Sequence, residues 1–153
     1  MTALEVMLQR EDVVKEAKTW IGTPHHHHAR IKGAGIDCGL ILAEVYRAAG
    51  VVSEDIDPGE YVHDWHLHKD EPIYLRTLEK YAAKIDGPPQ PGDIALYRYG
   101  RQAAHGAIVI EWPVILHAYI PAGEVVLDDA EANAELKERF VGLWSPWAKK
   151  GGE

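Results

Sequence analysis

The stretch Gly35-Ile36-Asp37-Cys38-Gly39-Leu40-Ile41-Leu42-Ala43-Glu44-Val45-Tyr46 holds the only cysteine of the 153-residue chain, where a helical pattern begins. Gly33, Gly35 and Asp37 are turn and cap residues, and the Asp37 carboxylate suits the free backbone N–H groups of a helix starting at Cys38. Cys38, Ile41, Leu42, Val45, Tyr46 and Ala49 then share one helical face, with Glu44 and Arg47 away from it and Gly50 as a stop. A thiol at a helix N-terminus is placed to act as a nucleophile, because the partial positive charge there and a nearby imidazolium lower its pKa. The competing reading is a small buried hydrophobe beside Leu40 and Ile41.

Towards the N-terminus, Val13, Val14, Ala17, Trp20 and Ile21 recur at helical spacing, which predicts an amphipathic helix from Arg10 to Ile21, ended by Gly22 and Pro24. An irregular segment, Thr23 to Gly33, carries His25-His26-His27-His28 into the cysteine helix. Such a run suggests a tag or a metal site, but it is internal, and neighbouring side chains on an extended chain point in opposite directions, a poor geometry for one ion. A loop with one or two inward-facing imidazoles fits better. His63-Asp64-Trp65-His66-Leu67-His68 puts two histidines on one face of an extended segment without a partner at zinc spacing, so it reads as a cleft wall or a wet loop.

Towards the C-terminus, Asp70-Glu71-Pro72 reads as a helix start, with an apolar face running from Ile73 to Ile85 before Gly87-Pro88-Pro89. The texture then changes to strand-like runs: Ile94 to Tyr99, Gly106 to Glu111, Val114 to Ile120, Val125 to Leu127 and Phe140 to Trp144. A short polar helix, Glu131 to Arg139, precedes the last of them. Helices first and strands afterwards indicate a single α+β domain over residues 1–153, with N-terminal helices packed on a central antiparallel sheet and a frayed tail at 149–153.

Composition sets bounds on partners. With 24 acidic against 16 basic residues and a formal charge of −8, the chain lacks the footprint of a nucleic-acid binder, and an anionic membrane surface is not an expected partner. One cysteine excludes an internal disulfide, and no apolar run is long enough for a membrane-spanning helix. Met1 to Arg10 has an acidic residue in its apolar run and no basic residue before it, so it does not read as a secretory signal.

His105 opens the run His105-Gly106-Ala107-Ile108-Val109-Ile110, and His117 lies in Val114-Ile115-Leu116-His117-Ala118. A hairpin centred near Glu111 would set the two histidines opposite each other, and a slightly different centre would displace them by a few residues. Cysteine hydrolysis needs a thiol, an imidazole to handle its proton, and a third polar group to orient that imidazole. Cys38 packed against strands bearing His105 and His117 would supply all three.

The chain resembles the NlpC family of bacterial and phage cell-wall cysteine peptidases, especially its short phage-tail members. The matching elements, in order, are Thr23-Pro24, Gly35-Ile36-Asp37-Cys38-Gly39-Leu40, Gln90-Pro91-Gly92-Asp93, His105-Gly106-Ala107-Ile108 and Leu116-His117-Ala118, and the match runs from about residue 10 to 147. The resemblance implies a papain-like fold, with Cys38 as nucleophile, His105 as general base and then acid, and His117 as the orienting residue. It further implies hydrolysis of an amide in peptidoglycan stem peptides, typically the D-γ-glutamyl to diaminopimelate bond, with no metal and no cofactor. The backbone N–H of Cys38 is the candidate oxyanion donor.

His25, Asp37 and Trp65 are the candidate substrate-binding residues. His25 stands where many members carry a tyrosine, and Gly39 follows the cysteine directly where a serine is usual. Expected partners are the stem peptide and phage tail-tip proteins. The expected location is a virion tail, or the bacterial cytoplasm before particle assembly, with delivery by a particle replacing an export signal. Two alternatives stand beside this reading: a catalytically silent tail-tip structural or assembly protein, and a papain-like amidase or acyltransferase with another acyl substrate.

Overall fold

The computed structural model describes residues 1–26, 29–52, 73–99 and 102–149. Helix α1 spans Ala3–Lys18 and starts earlier than its apolar face suggests, because Thr2 and Glu5 form a capping box: Thr2 Oγ1 accepts from the Glu5 N–H at 3.1 Å, and Glu5 Oε1 accepts from the Thr2 N–H at 3.2 Å. Only its second half reaches the core, through Val13 and Ala17, followed by Trp20; Leu4, Met7 and Leu8 are exposed.

Two short strands not expected from the sequence, β1 (Arg30–Ile31) and β2 (Gly35–Ile36), pair antiparallel immediately before the cysteine. Two residues per strand are too few to leave a periodic signal. Helix α2 covers Leu40–Ala48, and α3 covers Ile73–Glu79. The helix start expected at Asp70-Glu71-Pro72 falls outside the described residues. The expected continuation of that helix to Ile85 is corrected: Ala83–Ile85 is strand β3, paired antiparallel with the last strand as Ala83↔Ser145, Lys84↔Trp144 and Ile85↔Leu143.

The remaining strands are β4 (Ile94–Tyr99), β5 (Gln102–Glu111), β6 (Val114–Tyr119), β7 (Glu124–Asp129) and β8 (Phe140–Ser145), with helix α4 (Ala134–Arg139) before β8. They form one antiparallel sheet in the order β3-β8-β4-β5-β6-β7. Strand alternation divides the core in two. One face carries Ile94, Leu96, Ile108, Leu116 and Ala118 against Val13, Ala17, Leu40, Ile41, Leu42, Val45 and Tyr74 of α1, α2 and α3. The other carries Ala95, Tyr97, Ala107, Val109 and Ile115 against Leu136 of α4. The architecture is the expected α+β domain with its N-terminal helices on an antiparallel sheet. Among the described residues no helix is long and apolar enough to cross a membrane.

Candidate active site

Cys38 lies in the turn that winds into α2, half-buried against the helical core. The helix is assigned from Leu40 with Gly39 at its N-cap and no side-chain cap, so the expected Asp37 cap is corrected: Asp37 braces the turn before the helix, its carboxylate accepting from the Gly39 N–H at 2.8 Å and its carbonyl from Leu40 N–H at 3.1 Å and Ile41 N–H at 3.2 Å. The turn is anchored on both sides. The Asp37 N–H donates to the Ala29 carbonyl, and Ile36 exchanges backbone bonds with Pro24 and His26. Behind it, Glu44 of α2 is buried and binds Arg30 of β1 and Arg47, fastening the small hairpin to the helix.

Helix α2 reaches the sheet at a glycine. A Cβ on Gly106 would lie 2.5 Å from Leu42 Cδ1 and 2.5 Å from Tyr74 Oη, so only a residue without a side chain lets α2 and α3 close on β5 here. Leu42 is one turn beyond Cys38, and Gly106 is the residue after His105. The sequence pair His105-Gly106 thus joins a titratable side chain on one side of the strand to a helix contact on the other.

His105 and His117 are brought together: His105 Nε2 and His117 Nδ1 are 2.8 Å apart, and both side chains are buried. They are not directly opposite. The observed register, Ile108↔Leu116 and Val109↔Ile115, offsets them by two residues, and Tyr97 of β4 is the cross-strand partner of His105. A residue the sequence reading missed completes the line: His117 Nε2 is 3.1 Å from Asp128 Oδ2 on β7. Asp128 lies just past the strand expected at Val125–Leu127, while β7 runs on to Asp129. Extending the alternation from Val126, the partner of His117, to Asp128 is the signal that would have found it. Tyr119 stacks on His117 with ring centroids 4.5 Å apart and an interplanar angle of 17°.

The electrostatics differ from the activated thiol expected from the sequence. Burial and the neighbouring Asp37 carboxylate push the Cys38 thiol up to about 12, against a weaker opposing effect of the Cys38 and Gly39 backbone N–H groups. Burial, with the charges of His117 and then His25, pushes His105 down to about 3. Burial likewise lowers His117, opposed by its hydrogen bond to Asp128. In the free protein the thiol keeps its proton and His105 is a neutral imidazole. The helix terminus acts in the expected direction, but desolvation outweighs it.

The other candidates divide. His25 is half-buried, its N–H donates to the Gly123 carbonyl at 2.8 Å, and it forms a parallel bridge with Ile36, two residues before Cys38. Its charge acts on His105, so the histidine loop and the strand histidines share one electrostatic neighbourhood. Asp37 is buried in the turn before α2. Trp65, with the His63–His68 cluster, and His27 and His28 lie outside the described residues. Among the described residues no three His, Cys, Asp or Glu side chains gather as a metal ion would require.

No protein-family model matches the chain, and no curated protein sequence does. Solved structures match closely in shape. The NlpC/p60 domain of the peptidoglycan hydrolase SagA superposes with a TM-score of 0.62 at 21% identity, covering 89% of this chain and 97% of that one. The fold is that of an NlpC/p60 domain. A lipoprotein-like NLP/P60 family protein from Staphylococcus aureus gives a TM-score of 0.67 at 16% identity over 90% of this chain and 41% of that one. The peptidoglycan hydrolase RipB from Mycobacterium tuberculosis gives 0.61 at 14% identity over 95% and 67%. This chain therefore spans nearly all of the SagA domain but about two fifths of the staphylococcal protein. At these identities the likeness is one of fold, and it matches the papain-like architecture expected from the motifs.

Proposed function

We propose that this protein is a cysteine hydrolase of the bacterial cell wall, cleaving an amide bond in peptidoglycan stem peptides. The observation that carries the proposal is the buried, hydrogen-bonded pair His105–His117, with His105 adjoining the glycine of β5 on which α2, the helix that follows Cys38, closes. A scaffold has no use for a histidine held without its charge beside a second histidine and an aspartate. The NlpC/p60 fold, shared with hydrolases of peptidoglycan, supports the substrate class.

In this mechanism the S–H bond of Cys38 breaks as His105 takes the proton, and the sulfur attacks the scissile carbonyl. The oxyanion forms beside the Cys38 backbone N–H. His105 then returns the proton to the leaving amine, and a water activated by His105 hydrolyses the thioester. His117 orients His105, Asp37 holds the cysteine turn, and His25 and Trp65 contact the substrate. The finer assignments, the D-γ-glutamyl to diaminopimelate bond and delivery on a phage tail with tail-tip partners, rest on the motif resemblance.

The test is digestion of purified peptidoglycan with product masses read by mass spectrometry. Stem-peptide fragments that appear with the wild type and vanish with Cys38→Ala support the proposal. Cleavage at another bond would reject the substrate assignment, and detection of the chain in purified virions would test the location. An amidase or acyltransferase acting on a different acyl group is the second reading. Product masses that show no stem-peptide cleavage but a modified acyl group would favour it.

A further inference from the structure

The bonds beyond His117 have a fixed direction, and it can be followed from a backbone amide. Asn133 is the N-cap of α4, and its Oδ1 accepts from the Leu136 N–H at 3.2 Å. A backbone N–H can only donate, so the side-chain oxygen of Asn133 is the atom facing it and the amide nitrogen is the other. That nitrogen donates to Asp128 Oδ2 at 2.8 Å. The second carboxylate oxygen, Oδ1, accepts from the Asp129 N–H at 2.8 Å. Both oxygens of Asp128 thus face donors, and the carboxylate is held as an acceptor only.

The same oxygen, Oδ2, meets His117 Nε2 at 3.1 Å, and that nitrogen must then carry a proton. A neutral imidazole has one N–H, so His117 Nδ1 is a bare acceptor, and the 2.8 Å bond it shares with His105 must be donated by His105 Nε2. We propose that Asp128 and Asn133 are positioning residues that impose this tautomer on both histidines, leaving Nδ1 of His105 as the unprotonated nitrogen that a base must offer. The inference rests on the reading of Cys38 and His105 as nucleophile and base. When the proton arrives, the S–H bond is exchanged for an N–H bond at Nδ1, and the new imidazolium keeps its Nε2–H on His117. Reversing any one link reverses the rest: a His117 protonated at Nδ1 would donate to His105 Nε2 and force the proton of His105 onto Nδ1. The base would then be blocked.

The test is a histidine tautomer spectrum of the full chain, labelled with nitrogen-15 and recorded at neutral pH, with the two rings assigned from His105→Gln and His117→Gln. The expected result is a proton on Nε2 and a bare Nδ1 for both. Asp128→Ala should lose this single tautomer and lower kcat on purified peptidoglycan on the order of 10²–10⁴-fold, as a wrongly protonated base does, with KM within about threefold. A wild-type His105 protonated at Nδ1, or an Asp128→Ala that keeps both tautomers and wild-type kcat, would overturn the proposal. The wild-type spectrum decides even if the variant does not fold. A wild type showing the expected tautomers but inert on peptidoglycan overturns the hydrolase reading instead.

Discussion

Leu42 of α2 rests against the backbone of Gly106 of β5, with its Cδ1 2.5 Å from where a Cβ would stand. This contact sets how closely α2, the helix that follows Cys38, approaches β5, the strand that carries His105. Tyr74 of α3 crowds the same point. The glycine therefore fixes a distance between two elements far apart in sequence, which local propensity does not reveal.

Gly106→Ala should consequently weaken both stability and activity. The added methyl meets two buried side chains and must displace them, a kind of overpacking that costs about 1–3 kcal/mol. Urea unfolding should show that loss, and hydrolysis should fall by about tenfold or more, because catalysis is sensitive to displacements of an ångström. Leu42→Ala in the same chain should recover part of the stability. Unchanged stability in the single variant would mean that α2 does not press on β5 as described.

The thiol of Cys38 should alkylate slowly at neutral pH. Its folded pKa lies near 12, so the thiolate fraction is small until strongly alkaline conditions, and the rate should climb through the alkaline range with no plateau around pH 7. Asp37→Asn removes the carboxylate that raises this pKa while keeping an oxygen for the Gly39 N–H, so it should speed alkylation at a fixed pH. Iodoacetamide labelling followed by mass spectrometry reads both. A neutral plateau abolished by His105→Ala would instead show a preformed thiolate–imidazolium pair.

The motif Pro91-Gly92-Asp93 makes a prediction about stability rather than chemistry. Asp93 is buried, accepts from Arg10 Nη1 at 2.7 Å and from the Gln90 N–H at 2.8 Å, and so ties α1 to the entry of β4. Arg10 is mostly buried too, lying over the Trp147 ring at 4.3 Å. Asp93→Ala takes the carboxylate from that guanidinium, which keeps its 2.9 Å bond to the Pro91 carbonyl, and should cost about 3 kcal/mol, the lower end for breaking a buried pair. A loss below about 1 kcal/mol in denaturant unfolding would place the pair among surface bridges.

The sequence made the sheet legible where apolar alternation was long. Strand β4 matches its expected bounds, Ile94 to Tyr99, and β8 differs by one residue. Strand β3 was not legible, because Leu78, Tyr81, Ala82 and Ile85 keep helical spacing past the end of α3, and only pairing with β8, some sixty residues away, makes Ala83–Ile85 extended. The histidine pair was legible as neighbours, but its offset depends on a register shift between Val109 and Glu111 that residue types do not encode. Asp128 was hidden for a similar reason: beside Asp129 at a strand end it reads as a turn carboxylate, and its role exists only because β7 lies next to β6. Burial of the thiol was legible as the competing reading beside Leu40 and Ile41, whereas its dominance over the helix terminus arises from tertiary packing around the cysteine turn.

Acid should unfold this protein through its buried histidines. The folded pKa of His105 is near 3, against an ordinary 6.5, and His117 is lowered as well. Between those two pH values the unfolded chain binds a proton at position 105 that the native state refuses, so the stability His105 contributes above pH 6.5 is lost as pH falls. The slope from one such group approaches about 1.4 kcal/mol per pH unit. Urea unfolding at successive pH values from 7 to 4 should therefore show declining stability, and His105→Gln, which does not titrate, should flatten the decline. If the slope were the same in the variant, the proton uptake would belong to other groups, and the native state would have to tolerate a charged His105.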